Sequence, residues 1–218
     1  MRRLVLFDLD NTLVDRLDAF RRWVREFADR RGLGDGAVEW MVRLDGDGGL
    51  PMDVFFGRVR ERFSLPEPAE ELWEEYRDGM PRLVVCREPV LRALEGLRDA
   101  GWRIGVVTNG MEDNQLRKIR WSGLAERVDG WAISGAEGVR KPDARLFAIA
   151  AERCGARLGG GGWVVGDDPV NDVAGGRAAG LRTVWVDRGM QAWPSDVAAP
   201  DHAVADVERA IEVITASA

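Results

Sequence analysis

The sequence predicts an α/β protein: a doubly wound parallel sheet interrupted by an inserted α-helical bundle. Three observations predict it. Short apolar runs alternate with helix-period segments from residue 88 onward, the pattern of strand–helix–strand units and hence of a parallel sheet. A further apolar run, Leu4–Phe7, lies near the N-terminus, far from the other strands. Between them, residues 15–84 carry amphipathic helical patterns and no strand signal. The expected organisation is therefore an α/β core from residues 1–14 and 85–218, with residues 15–84 as a helical insert.

Leu4–Phe7 reads as a buried parallel strand that ends abruptly in Asp8, Asp10, Asn11 and Thr12. In an extended chain Asp8 and Asp10, two residues apart, project to the same side. Phe20, Trp23, Val24 and Phe27 then share one helical face, and Gly32 and Gly34 close that helix. A helix is expected over 37–44. Asp45-Gly46-Asp47-Gly48-Gly49 lacks the downstream ligands and closing Glu of a calcium loop and reads as a solvated loop. Helices are expected over 54–63 and 69–80.

Further along, 89–99 is a helix with Pro89 in its first turn and Gly101 beyond its end. A strand at 103–107 runs into Thr108-Asn109-Gly110; 112–122 is a helix and 131–133 a strand. A helix over 142–154 places Pro142 in its first turn. The glycine-rich 157–162 lacks the Gly-Lys-Ser/Thr of a phosphate loop and is a plain connection. A strand at 163–166 ends in Asp167-Asp168, followed by a helix at 170–179, a strand at 181–186, a short edge strand at 202–204 and a last helix at 207–216.

Composition narrows the function classes. With 31 Lys and Arg against 37 Asp and Glu the net charge is −6, so no nucleic-acid surface is expected. No apolar run approaches the roughly 20 residues of a membrane span. Met1-Arg2-Arg3 followed by an apolar run that is short and meets Asp8 does not read as a signal peptide. A cytoplasmic protein, monomeric or homodimeric, is expected. Cys86 and Cys154 have neither disulfide nor metal spacing and read as buried thiols. His202 is the single histidine, which leaves the chemistry to carboxylates, lysine and hydroxyls.

Three strands finish in polar groups: Asp8/Asp10/Thr12, Thr108/Asn109 and Asp167/Asp168. Lys141 stands before a further helix. In a parallel sheet these carboxyl ends lie along one edge, where ligands bind. Paired carboxylates repel, and a divalent cation is the usual remedy, Mg²⁺ suiting hard oxygen ligands. Each feature also has a plain structural reading. Asn109-Gly110 is a turn dipeptide, a lysine before a proline is usually a solvated surface residue, and Asp167 or Asp168 can cap the helix that follows. Their joint arrangement favours function.

The runs Phe7-Asp8-Leu9-Asp10-Asn11-Thr12, Val107-Thr108-Asn109-Gly110, Gly138-Val139-Arg140-Lys141-Pro142-Asp143 and Val165-Gly166-Asp167-Asp168-Pro169-Val170-Asn171-Asp172 resemble the four ordered motifs of the haloacid dehalogenase-like (HAD) hydrolase superfamily. The resemblance spans the chain, and the helical insert is similar to the cap of subfamily I. It implies a Mg²⁺-dependent phosphatase acting on a small phosphorylated metabolite, a nucleotide or sugar phosphate.

Carried onto this sequence, the resemblance makes Asp8 the nucleophile and Asp10 the general acid and base. Mg²⁺ would lie on the Asp8 carboxylate, the Asp10 backbone carbonyl and Asp167. Thr108, with the Asn109 and Gly110 backbone, would bind the phosphoryl oxygens beside Lys141. Asp172, Asp168 and Thr12 would stand behind these groups. The alternatives are a phosphomutase of the β-phosphoglucomutase kind, a non-catalytic binding protein and a 2-haloacid dehalogenase, the last disfavoured by Asp10 because the family's dehalogenases lack a second aspartate there. The Asp-Asn-Thr form and the 134–142 run resemble the nucleotidase and acylneuraminate-9-phosphatase branches. Arg16, Arg43, Arg82 and Arg87 are candidates for contacting a leaving group, but each is more often solvated.

Overall fold

The structure, a computed structural model, describes residues 3–217; Met1 and Arg2, on which the signal-peptide reading bears, lie outside them. Six strands form the sheet: β1 (Arg3–Phe7), β2 (Trp102–Thr108), β3 (Gly130–Ile133), β4 (Trp163–Gly166), β5 (Arg182–Val186) and β6 (His202–Val204). All pairings are parallel, in the order β3-β2-β1-β4-β5-β6. Leu4, Val5, Leu6 and Phe7 are all buried, because both faces of β1 are covered, as an unbroken apolar run implies. The direction of winding reverses between β1 and β4, and such a switch point opens a crevice at the strands' carboxyl ends.

The chain divides into two compact units, Met1–Val14 with Cys86–Ala218, and Asp15–Val85. The second is all helical: α1 (Arg16–Arg31), α2 (Asp35–Asp45), α3 (Met52–Phe63) and α4 (Ala69–Gly79). Asp15 caps α1 by accepting from the Asp18 N–H, and Gly32 ends it in the left-handed region at φ +61°, where glycine meets no Cβ penalty. An aromatic cluster fills its centre. Trp23 packs on Phe27 at 4.9 Å and edge-on to Tyr76 at 5.1 Å, and Phe20 meets Phe55 at 5.6 Å. These are the offset and edge geometries that ring quadrupoles favour.

The solvated-loop reading of residues 45–49 needs correction at Asp45; Gly46–Gly48 form a short 3₁₀ turn with no buried residue. Asp45 ends α2 fully buried, gripped by Arg16 through two hydrogen bonds of 2.6 and 2.7 Å. A buried carboxylate needs such a partner, so Arg16 is committed to the interior of its own unit. The last helix of this unit stops at Gly79, and Met80–Leu83 tightens into a 3₁₀ turn.

In the α/β unit, α5 (Glu88–Asp99), α6 (Glu112–Trp121), the short α7 (Ser134–Glu137), α8 (Ala144–Arg153), the short α9 (Gly175–Ala178) and α10 (Val207–Ala216) pack around the sheet. Leu146, Phe147, Ala150 and Ala151 of α8 bury against Leu4, Leu6, Val107 and Ala132. Two of the elements expected in this unit differ by more than a one-residue shift. The helix after Lys141 starts at Ala144, because Asp143 caps it at the Arg145 N–H and Pro142 stays outside. The stretch expected as one helix over 170–179 is a π-helical turn, Pro169–Ala174, running into α9. Cys86 and Cys154 are free and buried, and burial pushes both thiols up to about 12. No helix among the described residues is long and apolar enough to cross a membrane.

Candidate active site

The site grows from the end of β1. The Asp8 N–H donates to the Val165 carbonyl at 2.8 Å, extending the β1–β4 ladder by one step and setting Asp8 at the switch point. Past it the chain curls. Asn11 adopts φ +63°, a conformation asparagine tolerates better than most residues, and its N–H bonds the Val14 carbonyl at 2.7 Å. The expectation that Asp8 and Asp10 share one strand face therefore fails: the strand stops at Phe7, and the two carboxylates take different partners.

Asp8 belongs to Lys141. The Lys141 ammonium donates to Asp8 Oδ1 at 2.5 Å and to Asp172 Oδ1 at 2.6 Å, and all three residues are buried. Burial alone would lower the lysine's pKa, but Asp172 and Asp8 hold it above its ordinary value. Burial pushes the Asp8 carboxyl well above the usual carboxylate range; Lys141 pulls it back, while Asp172 and Asp167 push it further up. Burial raises Asp172 as well, against the pull of Lys141. Asp172 Oδ2 also accepts from the Asp168 N–H at 3.0 Å.

Asp10 belongs to α6. Lys118 Nζ lies 2.8 and 2.7 Å from its two carboxylate oxygens, and Gln115 Nε2 donates to Oδ2 at 2.9 Å. The same Nε2 donates to Thr108 Oγ1 at 2.7 Å. Lys118, Gln115 and Thr108 are each 1% exposed. Sequence reasoning missed Gln115 and Lys118. Their spacing of three puts them on one helical face, but Lys118 stands between Arg117 and Arg120 and there reads as one more solvated cation.

Thr108 ends β2, with Asn109 and Gly110 in the turn that follows. The Asn109 amide is spent on the Lys141 backbone: Oδ1 accepts the Lys141 N–H at 2.9 Å and Nδ2 donates to its carbonyl at 3.1 Å. The Gly110 N–H donates to Ser134 Oγ at 3.0 Å, a partner the sequence reading did not single out. Asp168 accepts from the Val170 and Asn171 N–H groups at 2.8 Å, so it is the cap of the π-helical turn. Thr12 is buried, and its hydroxyl has no hydrogen-bond partner among the described residues.

Asp8, Asp167 and Asp172 each offer a carboxylate oxygen within 4.8 Å of the others'. Lys141 bonds two of these carboxylates, Asp8 and Asp172, and Arg188 lies 3.4 Å from Asp167. A crowded set of hard oxygen donors is the chemistry a small divalent cation requires, so the residues present fit Mg²⁺.

A parallel sheet with buried carboxylates and a lysine at its switch point defines an α/β enzyme built for chemistry on an anionic centre. The sequence profile of the haloacid dehalogenase-like hydrolases matches residues 5–186, and the chain belongs to that family. It is 31% identical to a phosphoserine phosphatase of Thermus thermophilus, covering 94% of this chain and 96% of that one. It is 28% identical to a glyceraldehyde 3-phosphate phosphatase of Pyrococcus abyssi, covering 85% and 81%. Among solved structures, a HAD phosphatase of Thermococcus onnurineus superposes with a TM-score of 0.64 at 25% identity, covering 97% of each chain. A 2-haloacid dehalogenase of Pseudomonas syringae superposes at 0.67 and 28%, covering 100% of each. The named relatives make the chain a hydrolase of the phosphatase type.

Proposed function

We propose that the enzyme hydrolyses phosphate monoesters of small metabolites, with Mg²⁺, through an aspartyl-phosphate, an acyl phosphate formed on Asp8. One observation carries the reading: Lys141 lies between Asp8 and Asp172, with Asp167 in reach of both carboxylates. An ammonium so placed neutralises the charge that a nucleophilic carboxylate and a phosphate bring together. The named phosphoserine and glyceraldehyde 3-phosphate phosphatases support a small, anionic, phosphorylated substrate.

In this reading an Asp8 oxygen attacks phosphorus as the bond to the substrate's alcohol oxygen breaks, and Asp10 gives that oxygen its proton. Asp10, now a carboxylate, takes a proton from water; the water oxygen attacks phosphorus and the Asp8–phosphate bond breaks. Thr108 and the Asn109 and Gly110 backbone hold the phosphoryl oxygens, with the Gly110 N–H leaving Ser134 to do so. Asp172 orients Lys141. The Asp8 and Asp167 carboxylates and the Asp10 carbonyl would hold Mg²⁺, which would supply charge neutralisation at the phosphate. The helical unit serves as the cap that selects among phosphate esters. The free, buried thiols agree with work in the reducing cytoplasm.

The similarity to a 2-haloacid dehalogenase favours a second reading, in which Asp8 attacks carbon and Asp10 has no proton to move. Phosphate release from a panel of metabolites, with Mg²⁺ and with chelator, separates the two. Mg²⁺-dependent release, abolished in Asp8→Asn with the unfolding midpoint kept, is the expected result. Halide release from 2-haloacids that persists in chelator would replace phosphatase by dehalogenase.

A further inference from the structure

We infer that Lys118 and Gln115 are positioning residues that hold Asp10 and Thr108 in register, so that leaving-group protonation and phosphoryl binding are set by one face of α6. The inference rests on the phosphatase reading above. Three observations support it. Lys118 reaches both oxygens of the Asp10 carboxylate, at 2.8 and 2.7 Å, and a two-point contact fixes the carboxylate plane where a single bond leaves it free to rotate. Gln115 uses one amide nitrogen twice, on Asp10 Oδ2 and on Thr108 Oγ1. Both side chains are 1% exposed, so their rotamers are locked by packing.

The consequence for Thr108 is directional. Its hydroxyl has one proton to give, and Gln115 already donates into the oxygen. The proton has a long approach of 3.5 Å to the Asn109 carbonyl, weak enough to be exchanged for a phosphoryl oxygen. Gln115 thereby turns Thr108 into a donor toward substrate. For Asp10 the consequence is reach. Proton transfer needs a heavy-atom approach of about 2.6–3.2 Å, and a carboxylate held by Lys118 and Gln115 does not spend its time in other rotamers.

The test compares two esters. O-phosphoserine, or glyceraldehyde 3-phosphate if that is faster, has an alkoxide leaving group that needs a proton; 4-nitrophenyl phosphate leaves without one. The kcat/KM of each reports the step in which the P–O bond breaks. Lys118→Met is expected to lower kcat/KM for the alkyl ester by about 100-fold and for the aryl ester by less than about 5-fold, the size of a misplaced general acid. Lys118→Gln, which keeps a donor, is expected to recover part of the loss. Equal losses on both esters, or no loss on either, would overturn the inference, since a purely structural role does not sense the leaving group. If Lys118→Met does not fold, Gln115→Leu carries the same comparison: its effect through Thr108 is common to both esters, and the alkyl-to-aryl ratio still reports Asp10. Failure of the unaltered enzyme to cleave either ester would instead count against the phosphatase reading.

Discussion

The side-chain amide of Asn109 exchanges two hydrogen bonds with the backbone of Lys141, accepting its N–H at 2.9 Å and donating to its carbonyl at 3.1 Å. Lys141 follows the short α7 in a loop and has no strand or helix of its own to fix it. The amide therefore serves as the clamp that aims the ammonium at Asp8 and Asp172. Asn109→Ala is expected to lower kcat by about 10–100-fold, the usual effect of losing a group that orients a charged site residue. Asn109→Asp keeps the acceptor but loses the donor and is expected to fall in between. An Asn109→Ala enzyme with full turnover would mean that the loop holds Lys141 unaided.

The carboxylate triad makes a prediction that needs no substrate. Mg²⁺ binding only the folded state stabilises it by about 2.7 kcal/mol when present at 100 times its dissociation constant, so the unfolding midpoint is expected to rise with Mg²⁺ and fall back with chelator. Asp172 is already committed to Lys141 and the Asp168 N–H, and Asp167 offers a carboxylate oxygen within 4.8 Å of those of Asp8 and Asp172. Asp167→Asn is therefore expected to abolish most of the Mg²⁺-dependent rise. A rise of unchanged size in that variant would move the ion elsewhere.

The sheet was legible because parallel strands buried on both faces are written as apolar runs, and residues 4–7, 104–107, 163–165 and 184–186 are such runs. Asp8, Thr108 and Asp167 were legible because each immediately follows or ends such a run. Lys118 and Gln115 were not, since nothing in a helix's periodicity says which of its cations is buried; that depends on Asp10 arriving from 108 residues away. Asp45 was misread for the same reason. Followed by a glycine-rich run it has the composition of a solvated loop, and Arg16, its partner, is 29 positions upstream. Pro142 was taken as a helix start on its fixed φ, but Asp143, the next residue, accepts the Arg145 N–H and decides the boundary.

In the helical unit, Glu75 receives hydrogen bonds from Arg30 and Arg31, and Arg31 also reaches Glu67 at 2.9 Å. Partial burial works to raise the pKa of Glu75, but Arg31 and Arg30 outweigh it and hold the carboxyl below its ordinary value. A carboxyl depressed on folding is bound by fewer protons in the folded state, so its stabilisation is present above the unfolded pKa of about 4.3 and is lost as pH falls through the lower folded value. Urea unfolding of the native chain and of Glu75→Gln is expected to differ by about 1 kcal/mol or less near neutrality. The gap should close below about pH 4 as Glu75 takes up its proton and shrink in high salt. A gap that widened toward acid would reverse the assigned sign.

Gly166 closes β4 directly beneath Asp172. A Cβ built on Gly166 would stand 2.2 Å from the Asp172 carboxyl carbon and Oδ2, and 2.4 Å from its Cβ. Asp172 is 1% exposed, so it has nowhere to retreat without leaving Lys141. Gly166→Ala is expected to destabilise the fold by about 1–3 kcal/mol, the range for an overpacked interior, and to cost activity by withdrawing one of the two carboxylates that aim the ammonium. The pair can be separated by a double-mutant cycle, because residues in direct contact do not add. Asp172→Gly removes the atoms the new methyl would strike, so the double variant is expected to regain most of the stability lost by Gly166→Ala alone relative to Asp172→Gly. Activity should stay low in the double variant, since Lys141 would then have Asp8 as its remaining carboxylate in this network. Strictly additive stabilities would mean that the strand shifts to admit the methyl and that Asp172 keeps its place.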